Sequence, residues 1–236
     1  MPVRAVTLDA GGTLIEVAEP VGTTYARIAS RHGIQLDASA LEQRFRESFA
    51  AAPPLAFPAI HPSRIEAAER GWWEAVVRGA FGPSAHHAAF AACFAELYAH
   101  YSRAQAWRLF PDVLPTLRAL RSRSFRLAVL SNFDGRLVAL LVELGLTPLV
   151  DHVLHSTAAG VAKPDVAFFD AARVVLHTRP EETLHVGDGL AEDVEGAQAA
   201  GCHAVLLDRS GLRSRLTSGS TIVTLTQLPT LVAAFG

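Results

Sequence analysis

VRAVTLDAGGTL, residues 3–14, is the stretch on which the fold turns. From Val3 to Leu8 the chain is largely apolar without helical spacing, so it reads as a buried strand. Asp9 ends the run, and Gly11 and Gly12 follow at once, which marks a tight turn. In a parallel sheet that position, just past the carboxyl end of a strand, is where side chains are offered to a ligand.

Beyond this stretch the pattern changes. After Pro20 come alanine-rich segments with helical periodicity, and helices are expected over 21–32, 38–51, 64–79 and 84–101. Trp72 and Trp73 fall inside the third of these and are expected to pack in a core. From Pro111 onward helix and strand alternate. Helices are expected over 112–122, 136–144, 165–175 and 193–200, and strands over 125–130, 152–155, 184–186 and 204–207. An edge strand at 222–224 and a last helix over 226–235, capped by Thr226, complete the series. Such alternation implies an α/β fold, a Rossmann-like parallel sheet with helices on both faces. The first strand and the one at 125 are about a hundred residues apart by sequence, far more than one crossover helix needs. The excess is the helical stretch. Residues 1–16 and 107–236 are therefore assigned to the sheet core, and 17–106 to an inserted all-α cap domain, placed to exclude water and select a substrate.

At 236 residues, 50% hydrophobic, the chain is long enough to bury a sizeable core. Its net charge of −2 comes from interspersed acids and bases, so neither nucleic acid nor an anionic membrane is expected as a partner. Two cysteines without metal-like spacing and a strand that begins almost at Met1 point to a reducing, cytoplasmic setting without a signal peptide. The ten histidines show no zinc spacing. Lys163 is the only lysine among 21 basic residues. In a chain that otherwise uses arginine, one lysine marks a place that needs a compact point charge.

Four clusters fall beside the carboxyl ends of strands, Lys163 in the loop after the third. They are Asp9, then Ser131 with Asn132, then Lys163, and finally Asp188 with Asp193. The sheet topology brings such positions to one crevice. Three carboxylates there repel one another, and a hard divalent cation, Mg2+, is the natural counter-charge, with Asp188 as its main ligand. Ser131, Asn132 and the Lys163 ammonium supply donors suited to a phosphoryl group. Asp9 then has the place and chemistry of a carboxylate nucleophile. Each cluster also has a plainer explanation. Asp9 suits an ordinary turn, Ser131 and Asn132 a helix cap, Asp193 a helix N-terminus, and Lys163 a solvated loop. Asp134, Arg136 and Asp208 are expected to be surface charges.

The runs DAGGTL at Asp9 to Leu14, LSN at Leu130 to Asn132, Lys163 with Pro164, and GDGLAED at Gly187 to Asp193 resemble, in order and spacing, the four motifs of the haloacid dehalogenase superfamily. The helical insertion resembles that superfamily's type 1 cap. The resemblance spans essentially the whole chain. It implies Mg2+ as cofactor and Asp9 as nucleophile. Gly12, Thr13, Ser131, Asn132 and Lys163 would lie around the phosphoryl group. Asp9, Asp188, Asp193 and the backbone carbonyl of Gly11 would lie around the metal. The implied activity is a phosphohydrolase acting on a small phosphorylated compound through an aspartyl-phosphate, as a monomer or homodimer.

The first motif departs from the superfamily. Most phosphatases of this kind carry a second aspartate, which serves as general acid and base, where this chain has Gly11. A group of that sort contributes about 10²- to 10⁴-fold in rate. The departure leaves a substrate with a good leaving group such as an acyl phosphate, a proton from elsewhere, or a module that binds Mg2+ and phosphate with little turnover. Two branches of the superfamily also lack the second aspartate. The 2-haloacid dehalogenases do not keep the metal carboxylates, which Asp188 and Asp193 represent here. Phosphonoacetaldehyde hydrolases need a lysine in the cap, and residues 17–106 contain none.

Overall fold

A computed structural model of the chain describes residues 2–212 and 220–235. In chain order it contains β1 (Ala5–Leu8), β2 (Ile15–Val17), α1 (Val21–Arg31), α2 (Ala38–Ala51), α3 (Ile65–Phe81), α4 (Phe90–His100) and β3 (Trp107–Leu109). There follow α5 (Val113–Ser122), β4 (Arg126–Ser131), α6 (Arg136–Glu143), β5 (His152–His155), α7 (Ser156–Ala159), α8 (Val166–Leu176) and β6 (Thr183–Gly187). A π-helical turn (Leu190–Glu195), α9 (Gly196–Ala199), β7 (His203–Leu207), β8 (Ser220–Ile222) and α10 (Leu228–Val232) complete it.

Six strands form one parallel sheet in the order β5-β4-β1-β6-β7-β8. The chain moves outward from β1 through β4 to β5, then crosses back to build β6, β7 and β8 on the other side. β1 is thus the point at which strand order reverses, and the crevice beyond its carboxyl end is where an open α/β sheet binds ligands. A strand covered on both faces needs a nearly unbroken apolar sequence, and all four residues of β1 are buried. Removing Val6 and Leu8 from water stabilises the sheet by about 1.5–3 kcal/mol each.

The chain divides into two compact units. One comprises Met1–Glu16, Ala56–Ala59 and Leu109–Gly236, and the other Val17–Leu55 and Ile60–Arg108. β2 and β3 pair as a separate two-stranded sheet. The second unit is helical, with a core of Tyr25, Ile28, Leu41, Phe81, Phe90 and Phe94. Trp72 and Trp73 are partly buried, and Trp73 packs against that core as expected. They lie edge to face at 4.9 Å beside the exposed Phe49, and Trp72 Nε1 donates to Pro53 O. The expected 84–101 helix begins only at Phe90, after a 3₁₀ turn over Gly82–His86. Among the described residues no helix is long and apolar enough to cross a membrane.

Three further expectations change in the sheet unit. Thr224, not Thr226, caps the C-terminal turn, and its hydroxyl accepts from Thr226 N. Asp134 and Asp208 are buried rather than surface charges. Arg136 grips both oxygens of Asp134, and Asp208 accepts from Ser210 Oγ. The expected helix at 193 begins three residues earlier, in the π turn. Such turns widen the backbone and are frequent at functional sites. Here the turn carries Asp193 inward, to 3% exposure.

Candidate active site

The loop after β1 is closed by its own backbone. Asp9 N donates to Val186 O on β6, while Leu14 N and Ile15 N both donate to Ala10 O. Gly12 turns with φ +76°, where a side chain is strained. A Cβ there would also lie 2.4 Å from Asp188 Oδ2, so glycine lets the loop approach that carboxylate closely. Thr13, fully buried, reaches Asp188 Oδ1 from Oγ1 at 3.4 Å. Gly11 is exposed, and a Cβ on it would meet no atom within 4 Å.

Lys163 joins the clusters. Its Nζ donates to Asp9 Oδ1 at 2.7 Å and to Asp193 Oδ1 at 2.5 Å, and the residue is 5% exposed. A solvated loop is thereby excluded. Asn132 holds the lysine's backbone in both directions, donating from Nδ2 to Lys163 O and accepting at Oδ1 from Lys163 N. Ser131 Oγ donates to Asp9 Oδ1 at 3.0 Å. Neither residue caps α6, whose N-cap is Gly135. Asp9 Oδ1 is thus doubly engaged, while Oδ2 makes no hydrogen bond among the described residues. Asp193 Oδ2 accepts from Gly189 N at 2.8 Å.

Ligand atoms from Asp9, Asp188 and Asp193 lie within 4.8 Å of one another. Three carboxylates facing one ammonium leave an excess of negative charge, and the ionisation equilibria respond. Burial, with Asp9 and Asp193 nearby, pushes Asp188 up to about 6. Burial also raises Asp9, against the pull of Lys163. At Asp193 burial is outweighed by the positive charge of Lys163 and the hydrogen bonds from Lys163 and His185, which hold it well below the usual carboxylate range. Burial disfavours the charged lysine, yet the two carboxylates reverse that and raise it. These three carboxylates could hold a metal ion.

A family model for haloacid dehalogenase-like hydrolases matches residues 3–201. The chain belongs to that family. A human relative, haloacid dehalogenase-like hydrolase domain-containing protein 3, is 38% identical over 208 residues, spanning 88% of this chain and 82% of its own length. Solved structures of the same fold include a HAD phosphatase from Thermococcus onnurineus, with TM-score 0.68, 22% identity and 98% of each chain covered. The L-2-haloacid dehalogenase from Xanthobacter autotrophicus, with chloropropionic acid covalently bound, matches with TM-score 0.71, 20% identity and 98% of each chain covered.

In this haloacid dehalogenase-like hydrolase the structure also adds two residues to the neighbourhood of the clusters. His185 is buried in β6. Its Nε2 lies 3.0 Å from Asp193 Oδ1 and its Nδ1 2.8 Å from Thr7 Oγ1. Burial lowers its affinity for a proton. A neutral ring donating to Asp193 would accept from Thr7. The available signal was a histidine inside an otherwise buried strand, TLHVG, paired with a threonine in β1. Arg209, just past β7, donates to the carbonyls of Gly12 and Thr13. Nothing in its local sequence distinguishes it from the other arginines.

Proposed function

We propose that the protein is a Mg2+-dependent phosphohydrolase that acts on a small phosphorylated compound through an aspartyl-phosphate on Asp9. The observation that carries this reading is the three-carboxylate cluster around Lys163. A metal-independent dehalogenase has no use for that surplus of negative charge. The donor set suits Mg2+, being all oxygen and anionic. The carboxylates of Asp9, Asp188 and Asp193, with the carbonyl of Gly11, would hold it. When bound, the ion neutralises the carboxylates and draws charge from the phosphoryl oxygens.

Asp9 Oδ2, the oxygen without a hydrogen bond, forms the bond to phosphorus. The bond from phosphorus to the leaving group breaks, and that oxygen departs with the electron pair. Lys163 and Ser131 keep Oδ1 fixed, so the carboxylate presents one oxygen. They also offer positive charge and a hydroxyl to the transferring group. Water then attacks phosphorus, releasing inorganic phosphate and restoring Asp9. With glycine at position 11 no side chain there protonates the leaving oxygen. Leaving groups that depart as stable anions, such as the carboxylate of an acyl phosphate, fit this chain best. The inserted helical unit is assigned the selection of substrate.

The test is phosphate release from acetyl phosphate, p-nitrophenyl phosphate and sugar phosphates, in Mg2+ or EDTA, by wild type and Asp9→Asn. Mg2+-dependent release that disappears in Asp9→Asn, strongest with the acyl phosphate, is the expected result. Absence of release with Mg2+ binding intact would overturn hydrolysis in favour of a binding module, and activity indifferent to EDTA would overturn the metal.

A further inference from the structure

Arg209 joins three pieces of chain that are far apart in sequence. From Nε it donates to Gly12 O at 3.3 Å, and from one terminal nitrogen to Thr13 O at 2.7 Å. The two terminal nitrogens also donate to Asp112, one to each oxygen, at 2.9 and 3.0 Å. Its guanidinium carbon lies 3.7 Å from the centre of the Phe110 ring. Asp112 stands at the N-cap of α5 yet makes no capping bond with its side chain. Its oxygens serve the arginine, Thr224 Oγ1 and Leu225 N instead. A planar fork of five donors, stacked on an aromatic face, is the chemistry only arginine supplies.

Its acceptors give the arrangement a consequence for the reaction. Gly12 and Thr13 both lie against Asp188. A Cβ on Gly12 would stand within 2.8 Å of three atoms of that carboxyl group, and Thr13 Oγ1 donates to it. We infer that Arg209 is a positioning residue: by fixing the Gly12–Thr13 carbonyls it sets where Asp188 presents its oxygens to the divalent cation. This rests on the Mg2+-dependent reading above. Arg209 itself touches neither metal nor substrate. It acts through the loop, and Asp112 keeps it in place.

The experiment is calorimetric titration of the purified protein with Mg2+, for wild type, Arg209→Ala, Arg209→Lys and Asp112→Asn, each checked for native circular dichroism. Loss of a direct outer partner of a metal ligand weakens binding by about 10- to 100-fold, and Arg209, one contact further out, should give a rise in Kd of up to about 10-fold in Arg209→Ala. Guanidinium ion added to that variant should restore part of the affinity, while sodium chloride at equal ionic strength should not. Arg209→Lys should fall short of wild type, because one ammonium cannot serve two carbonyls and two carboxylate oxygens. Asp112→Asn, which keeps both carbonyl bonds, should weaken binding less than either. If Arg209→Ala does not fold, Arg209→Lys and Asp112→Asn carry the comparison. A Kd unchanged in the Arg209 variants would overturn the inference and leave the metal reading standing, and so would a raised Kd that guanidinium does not lower. Wild type that takes up no Mg2+ would overturn the metal reading, and the inference with it.

Discussion

Replacing Asp188 by asparagine should make the metal-free protein more stable while destroying its affinity for Mg2+. The carboxyl group ionises at about 6 in the folded chain against 3.8 for a free aspartate, because burial, Asp9 and Asp193 all disfavour its charge. Each pKa unit corresponds to about 1.4 kcal/mol, giving about 3 kcal/mol at full ionisation. Solvent reaches this side chain, and screening reduces the figure to about 1–2 kcal/mol. In a chain of this length that is roughly 2–8 °C in Tm. The pH window follows from the direction of the shift. At about pH 3 both folded and unfolded forms carry the proton, and Asp188 costs nothing. Between about 4 and 6 the unfolded chain releases its proton first, so wild-type stability falls as pH rises; above about 6 the loss is complete. Asparagine mimics the protonated form throughout. Thermal melts in EDTA should therefore show the variant gaining on wild type from about pH 4 upward and levelling off above about pH 7. Saturating Mg2+ should raise the Tm of wild type and leave the variant unmoved. If the variant is no more stable than wild type at neutral pH without metal, or the gap does not shrink in acid, the site does not hold the electrostatic strain described here.

Other positions give equally direct tests. Gly12→Ala forces a side chain onto a φ of +76° and against Asp188, and urea denaturation should show a loss of about 2–4 kcal/mol. A Cβ at position 11 meets no atom within 4 Å, so Gly11→Asp should keep the native circular dichroism, while turnover of substrates with poor leaving groups should rise by up to about 10²- to 10⁴-fold. An unchanged rate would show that a carboxylate at that position does not reach the leaving oxygen. Lys163→Met leaves Asp9 and Asp193 buried without their shared cation, costing about 3–5 kcal/mol in urea at neutral pH. A stability equal to wild type would refute the assignment of Lys163 as the charge that holds the cluster together.

The parts of this molecule legible in the sequence are those with a local physical cause. An apolar run ending in Asp9 and a turn of glycines can form only a few structures, and the alternation after Pro111 leaves a parallel sheet as the consistent one. The four clusters were readable because each follows a strand end, and strand ends converge whatever the side chains between them. The single lysine was readable as an exception to the chain's own usage. Boundaries were less legible. The π turn at Leu190–Glu195 and the break before Phe90 depend on how neighbouring elements pack, and helical periodicity looks the same on either side of them.

The sequence by itself determined the α/β class, the family and the set of residues that cluster, because these follow from hydrophobic period, strand ends and motif order. Only the tertiary structure decided how those residues divide their contacts. Asn132 brackets the backbone of Lys163, one oxygen of Asp9 is bound and the other has no hydrogen bond among the described residues, and His185 stands behind Asp193. Arg209 reaches from just past β7 to the carbonyls of Gly12 and Thr13. Such pairings join positions up to 197 residues apart. Local sequence does not show which partner each side chain takes, since distance, burial and the sign of a neighbouring charge exist only once the chain has folded.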